Sequence, residues 1–258
     1  MIKTKKAAKA KVAHYFAAQV KTYDAWADVQ INAAAQLAER LKKIPCPQTI
    51  LEIGCGTGLV TEKLLPLFPS ASVLLTDIAH TMVKHCYHKY VDRAQNICYA
   101  QMDGEELALQ QSFDLIVSGM TFQWFHPIQK SLQQLYQQIN PNGHLMFSLL
   151  GSESLKEWRE TFSLFNINHS GPDLPTIAEI QSIDSNIQLQ VEYIRQPYRN
   201  AAHFLKTLKY LGASSPHDSH KTLSAGHLRR ILRHLDQLFA DRLIITYEVI
   251  YGFWKKSS

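Results

Sequence analysis

Apolar residues return at helical spacing from Trp26 through Val29, Ala33 and Leu37 to Leu41, which predicts a helix running up to a stop at Pro45 and Pro47. Beyond that point the period changes. Apolar runs at Thr49–Ile53, Ser72–Thr76, Ile97–Ala100, Phe113–Ser118 and His144–Leu150 read as short buried strands. Between them the spacing is helical again, as in Ile128, Leu132, Leu135 and Ile139 ahead of an Asn140-Pro141-Asn142-Gly143 turn. This alternation predicts the α/β class, with a mostly parallel sheet covered by helices on both faces.

After Leu150 the pattern differs. Leu155, Trp158, Phe162 and Phe165 form one helical stripe, and a loop follows through Gly171-Pro172 and Pro175. Gln188–Tyr198 alternates as a strand does. Phe204, Leu205, Leu208 and Leu211 mark one helix, Leu228, Ile231, Leu232 and Leu235 another, and Leu243–Phe253 closes the chain as a strand. The segment from Gly212 to Ser224, rich in Ser, His and Gly, reads as a mobile loop within a helical insert.

Composition narrows the class. In 258 residues, 27 Lys+Arg against 22 Asp+Glu leave a net charge of +5, and an apolar content of 46% suffices for a sizeable core and excludes disorder. The longest apolar run, Leu243–Trp254, is interrupted by Glu248, so no membrane span is expected. Lys3, Lys5, Lys6, Lys9 and Lys11 make the start cationic, but no signal-type apolar segment follows, and a cytoplasmic protein is expected. Cys46, Cys55, Cys86 and Cys98 show no metal spacing, and His85 with His88 lacks a third ligand, so no metal is expected either.

The segment Ile50-Leu51-Glu52-Ile53-Gly54-Cys55-Gly56-Thr57-Gly58 takes an apolar strand into a glycine-rich turn and then a helix. A pyrophosphate site has Gly-x-Gly-x-x-Gly. Here the spacing is Gly-x-Gly-x-Gly, and Glu52 inside the strand would repel phosphate and attract a cation, such as the ammonium of S-adenosylmethionine. Asp77, at the end of the second strand, is placed to accept both ribose hydroxyls. Asp103, beside Gly104 after the third, is placed to accept from an adenine amino group. All three carboxylates fall at carboxyl ends of adjacent strands, where an open α/β sheet binds its ligand.

Through these residues and the Phe113–Ser118 strand, the chain resembles class I S-adenosylmethionine-dependent methyltransferases, with a Rossmann-like sheet, an antiparallel closing strand and a helical cap. Within them it is similar to the malonyl-acyl-carrier-protein O-methyltransferases of biotin synthesis. Tyr23-Asp24, Ala27, Gln30, Phe122-Gln123-Trp124-Phe125, Gly151-Ser152-Glu153-Ser154-Leu155 with Glu157, Leu208-Lys209-Tyr210-Leu211-Gly212-Ala213 and Thr246-Tyr247-Glu248 carry this second likeness. Asn140-Pro141-Asn142-Gly143 and Gln19-Val20 depart from the family pattern. The resemblance implies a single domain over 1–258: a helical lid at 1–44, a cofactor-binding core at 45–151, a cap with a late strand at 152–242 and the closing strand at 243–258.

It also implies a cofactor site made of Tyr23, Glu52, Gly54, Cys55, Gly56, Thr57, Gly58, Asp77, Ile78, Met82, Asp103, Gly104 and Ser118. Tyr23, Gln123, Trp124, Arg159 and Lys209 are expected on the acceptor side, Gln123 as donor to a carboxylate and Lys209 or Arg159 as its cationic partner. Lys206, Arg229, Arg230 and Arg233 are expected to form a basic strip that docks an acidic acyl-carrier protein. A carboxylate is ionised at neutral pH, so no general base is needed and none is apparent. Alternatives are methylation of a free small acid such as trans-aconitate, of malonyl coenzyme A, or a non-catalytic S-adenosylmethionine-binding module. No base-reading motif follows the fourth strand, which argues against nucleic acid.

Overall fold

A computed structural model describes residues 2–93, 95–167, 173–211, 224–239 and 241–257, with backbone alone for 2–8. The expected Gly171-Pro172 turn, most of the 212–224 loop, Gly212 and Ala213 of the insert motif and the side chains of Lys3, Lys5 and Lys6 lie outside these residues. Helix α1 (Ile2–Gln19) and a 3-10 turn (Tyr23–Trp26) precede α2 (Asp28–Leu41). Then come β1 (Thr49–Ile53), α3 (Thr61–Leu67), β2 (Ser72–Asp77), α4 (His80–Tyr90), β3 (Ile97–Gln101), β4 (Phe113–Gly119), α5 (Ile128–Gln137) and β5 (Ile139–Leu150). The last part holds α6 (Lys156–Leu164), α7 (Ile177–Gln181), β6 (Gln188–Tyr198), α8 (Ala201–Tyr210), α9 (Ala225–Leu238) and β7 (Leu243–Lys255).

The strands form one sheet in the order β3-β2-β1-β4-β5-β7-β6. The first five run parallel, and β7 slots antiparallel between β5 and β6. Thus the late strand β6 is the sheet's outer edge, hydrogen-bonded along its whole length to β7. Successive residues of a strand face opposite ways, so Leu115 and Val117 join one buried cluster with α2, α6, α8 and α9, while Ile116 joins the other with α5 and α7.

The Asn140–Gly143 segment is a correction. Helix α5 stops at Gln137, and Ile139 already pairs with Phe113, so residues 140–143 form a bulge inside β5 before His144 takes up pairing with Leu115. Asn140 Nδ2 donates to Asp114 Oδ1 (2.8 Å) and Asn142 N to the Lys256 carbonyl (3.1 Å), so the bulge is held from both sides. The closing strand also runs two residues past Phe253, to Lys255.

Several of the segments that carry the family likeness are fold clamps. Glu157 on α6 accepts from Thr246 N (2.9 Å) and Thr246 Oγ1 (2.6 Å). Glu248, 1% exposed, accepts from Glu153 N (2.8 Å), and its own backbone exchanges hydrogen bonds with Ser154 Oγ. These bonds join the turn after β5 to β7 and set where α6 begins.

Strand β7 can lie close to β5 only because residue 252 is glycine: a Cβ there would sit 2.1 Å from the Phe147 ring. Gly252→Ala should therefore destabilise the protein by about 1–3 kcal/mol through overpacking. Urea titration checks this, and pairing it with Phe147→Leu should recover part of the loss.

Candidate active site

The turn after β1 places Gly54, Gly56 and Gly58 at positive φ (70°, 54° and 86°). A Cβ on Gly56 would meet nothing within 4 Å, so its surroundings are open, and its glycine answers to the left-handed backbone alone. The turn is pinned to the next strand by Asp77, whose Oδ2 accepts from Gly56 N (3.0 Å) and Oδ1 from Ala79 N (2.8 Å). Burial raises the Asp77 carboxyl above the usual range, and the backbone N–H groups work against that rise.

Glu52 is 1% exposed and accepts from Thr61 Oγ1 (2.7 Å). Burial pushes its carboxyl up to about 8, with the Asp77 charge adding to the effect. At neutral pH it is thus mostly protonated until a cation arrives beside it. Asp103 accepts from Glu105 N (3.0 Å), and both carboxylates hold the Lys9 ammonium of α1, at 2.5 and 2.8 Å.

A cavity of about 190 Å³ joins these groups. Of the expected cofactor residues, Tyr23, Glu52, Gly54, Cys55, Gly56, Thr57, Asp77, Ile78, Met82, Asp103 and Gly104 line it, and so does Trp124. Thr57 Oγ1 donates to Asp24 Oδ1 (2.6 Å), which fastens the 3-10 turn carrying Tyr23 over the glycine turn. Phe16 of α1 meets Trp124 edge-on (centroids 5.8 Å apart) and lies 6.2 Å from the Tyr23 ring, so three aromatic rings form one wall.

Five expected site residues are not among the lining. Ser118 is fully buried and donates to the Ile53 carbonyl (2.8 Å), a tie between β4 and β1. Gly58 packs under Tyr90, whose hydroxyl donates to the Gly58 carbonyl (2.9 Å). Gln123 is buried, with Nε2 donating to the Met120 carbonyl (2.7 Å), so this donor is turned to the protein and not to the cavity. Lys209 is exposed on α8, opposite the buried Phe204 and Leu208, and Arg159 lies half-buried on α6 beside the buried Trp158.

Sequence reading missed Lys9, Lys11, Val12 and Phe16 of α1, Ala34 of α2, and Met120, Thr121, Phe125 and His126 after β4, all of which line the cavity. Gln30 also lines it, and the only signal for it was its place in the Tyr23–Gln30 family match. The Lys/Ala stretch of α1 has almost no apolar stripe to show which side faces inward. Among the described residues no group of three His, Cys, Asp or Glu could hold a metal, and no helix is long and apolar enough to cross a membrane.

An open α/β sheet with a glycine turn and three carboxylates at its carboxyl edge defines a Rossmann-like class I methyltransferase, and residues 50–143 match the family described as a methyltransferase domain. The chain is 34% identical over 234 residues to a malonyl-acyl-carrier-protein O-methyltransferase of Magnetococcus marinus, covering 89% of this chain and 86% of that one. It belongs to that family. It is also 34% identical over 248 residues to the biotin biosynthesis bifunctional protein BioCD of Bordetella avium, covering 95% of this chain and 52% of that protein. Among solved structures, the N-methyltransferase NodS of Bradyrhizobium japonicum in complex with S-adenosylhomocysteine superposes with a TM-score of 0.51 at 14% identity, over 90% of this chain and 88% of that one.

Glu52 generates a test that needs no ligand. Its native value lies above the 4.5 of an ordinary Glu, so the native state binds more protons than the unfolded state between about pH 4.5 and 8. Ionisation at Glu52 therefore erodes stability as pH rises through that window. Glu52→Gln, which keeps an acceptor for Thr61, should stabilise the protein by on the order of 2–3 kcal/mol at pH 7 and by nothing at pH 4. Denaturant titrations at the two pH values check this, and an equal effect at both would contradict it.

Proposed function

We propose that this protein is an S-adenosylmethionine-dependent carboxyl O-methyltransferase that esterifies the free carboxylate of malonyl-acyl-carrier protein at the start of biotin synthesis. The observation that carries the reading is the single cavity in which Glu52, Asp77 and Asp103 lie along the carboxyl edge of the sheet beneath an aromatic wall. The residues fit the cofactor: the open side of Gly56 leaves room for it, and the three carboxylates are acceptors for its ammonium, hydroxyl and amino donors. Glu52 would hold the ammonium, giving up its proton as it does so, Asp77 the ribose hydroxyls and Asp103 the adenine amino group. Bound there, S-adenosylmethionine supplies a methyl group on a positively charged sulfur.

The chain's own task is then alignment and exclusion of water. Tyr23, Phe16 and Trp124 close the cavity around the reacting end, and the ring faces of Trp124 and Tyr23 suit a sulfonium. The acceptor carboxylate is already ionised, so no proton has to be removed before attack. Methylation cancels the charge at the far end of the malonyl group, and the product resembles an ordinary uncharged acyl chain. The names of the two relatives and the complex of NodS with S-adenosylhomocysteine support the same reading.

The carrier protein is expected to dock on α9. Arg229, Arg230 and Arg233 are exposed there, and Arg230 lies 4.8 Å over the Phe165 ring. Lys206, on neighbouring α8, stands 5.1 Å over Trp26, which is stacked on Tyr210 at 4.8 Å. Of these basic residues, Lys206 abuts the 3-10 turn that carries Tyr23.

Mass spectrometry of malonyl carrier protein, malonyl coenzyme A and free diacids after incubation with S-adenosylmethionine tests the activity. A methyl ester on the carrier-bound malonyl group is expected, and S-adenosylmethionine binding with no ester on any acid would reduce the protein to a binding module. Reversing Arg229, Arg230 and Arg233 to Glu should raise the Michaelis constant for malonyl carrier protein by at least about tenfold at low salt and flatten its salt dependence. A short malonyl pantetheine thioester should be unaffected. Equal loss on both substrates would remove the docking strip from α9.

A further inference from the structure

Methyl transfer to a carboxylate destroys two charges. As the new oxygen–carbon bond forms and the carbon–sulfur bond breaks, the acceptor's negative charge passes into a neutral ester and the sulfonium becomes a neutral thioether. A lysine or arginine paired with the carboxylate would bind the charged ground state more strongly than the charge-dispersed transition state and so slow the step. A neutral hydrogen-bond donor can fix the carboxylate with a smaller differential penalty. The cavity agrees with this requirement: Phe16, Tyr23 and Trp124 wall one side, and neither of its two lining lysines is free, since Lys9 is held by Asp103 and Glu105 and Lys11 has a partner of its own.

Two glutamines lie near the reacting end. Gln123 donates through Nε2 to the Met120 carbonyl and does not line the cavity, although its Oε1, like that of Gln30, meets no donor among the described residues. Gln30 does line it, with Ala34, Thr121 and Trp124. It sits in the first turn of α2, a helix anchored by the buried Val29, Ala33, Ala34 and Leu37, so its backbone position is rigid. Its Oε1 is buried and meets no donor among the described residues. A carboxamide's two ends are nearly isosteric, so rotation about its last bond can bring an N–H to a carboxylate oxygen.

We propose that Gln30 is the specificity-determining donor that orients the acceptor carboxylate, holding one oxygen while the other faces the methyl carbon. This rests on the carboxylate-methylation reading above. It takes over the role that sequence reading gave to Gln123, and it explains why neither Lys209 nor Arg159 lies at the cavity.

The test compares Gln30→Met, which keeps length without hydrogen bonds, and Gln30→Arg, which adds charge, with the unaltered protein. S-adenosylmethionine affinity is measured by calorimetry, folding by thermal denaturation, and kcat and KM with malonyl carrier protein and malonyl pantetheine. Gln30→Met should keep its melting temperature and cofactor affinity while kcat/KM for both acceptors falls about 10- to 100-fold, the loss typical of a hydrogen bond to a charged group. Gln30→Arg should lower KM together with kcat, the signature of tighter ground-state binding. Unchanged kinetics in Gln30→Met, or a loss confined to cofactor affinity, would overturn the role of Gln30 while leaving the function intact. Absence of any ester from the unaltered protein would overturn both.

Discussion

The Asp77 carboxylate is the constraint on which the site depends. By accepting from Gly56 N and Ala79 N, it ties the glycine turn after β1 to the end of β2 and to the start of α4. Those are the elements that form the cavity floor, and the parallel pairing of β1 with β2 brings them within reach. A carboxylate has about four acceptor sites and these bonds do not use them all, so the group that builds the site can also bind within it. Its cost is burial, which raises the pKa of Asp77 and, with Asp77's charge as a lesser contribution, that of Glu52.

Around this floor the walls come from distant parts of the chain. Helix α1 reaches Asp103 and Glu105 through Lys9, and the 3-10 turn reaches Thr57 through Asp24. Trp26 at the end of that turn stacks on Tyr210 of α8, with Lys206 above it. A contiguous set of contacts therefore runs from Lys206 on α8 through Trp26 and Tyr23 to the aromatic wall of the cavity. The part of the chain beyond Leu150 is also tied into the sheet by Glu157 and Glu248, whose hydrogen bonds fix the turn after β5. The segments before and after Leu150 consequently share one framework, with β7 and β6 completing the sheet whose other edge is β3.

The chemistry assigned to this cavity asks little of acid–base groups. Its carboxylates suit cationic and hydroxyl-bearing parts of a nucleoside cofactor, while the reacting end is walled by rings. Such a division follows from electrostatics: fixed negative charge is useful where the ligand's charge persists, and is a hindrance where charge is being cancelled.

Sequence alone determined the alternating strands and helices and the three carboxylates, because period-2 and period-3.6 burial and a glycine turn are local patterns; the antiparallel direction of the closing strand came from the family resemblance and not from its spacing. Glu52, Asp77 and Asp103 do line one cavity, since each lies at or just past the end of a strand whose direction the pattern already implied. Tertiary structure decided what local pattern does not encode. Which face of the Lys/Ala-rich α1 turns inward depends on Asp103 and Glu105, about a hundred residues away, and on nothing in α1's own spacing. Which of two glutamines points into the cavity depends on whether a carbonyl such as that of Met120 lies within reach of its amide. Lys209 and Arg159 carry the right charge, but the helices that bear them are oriented by their buried faces, Phe204 and Leu208 in one and Trp158 and Phe162 in the other. Packing of those apolar faces set where the two charged residues lie, and neither lines the cavity.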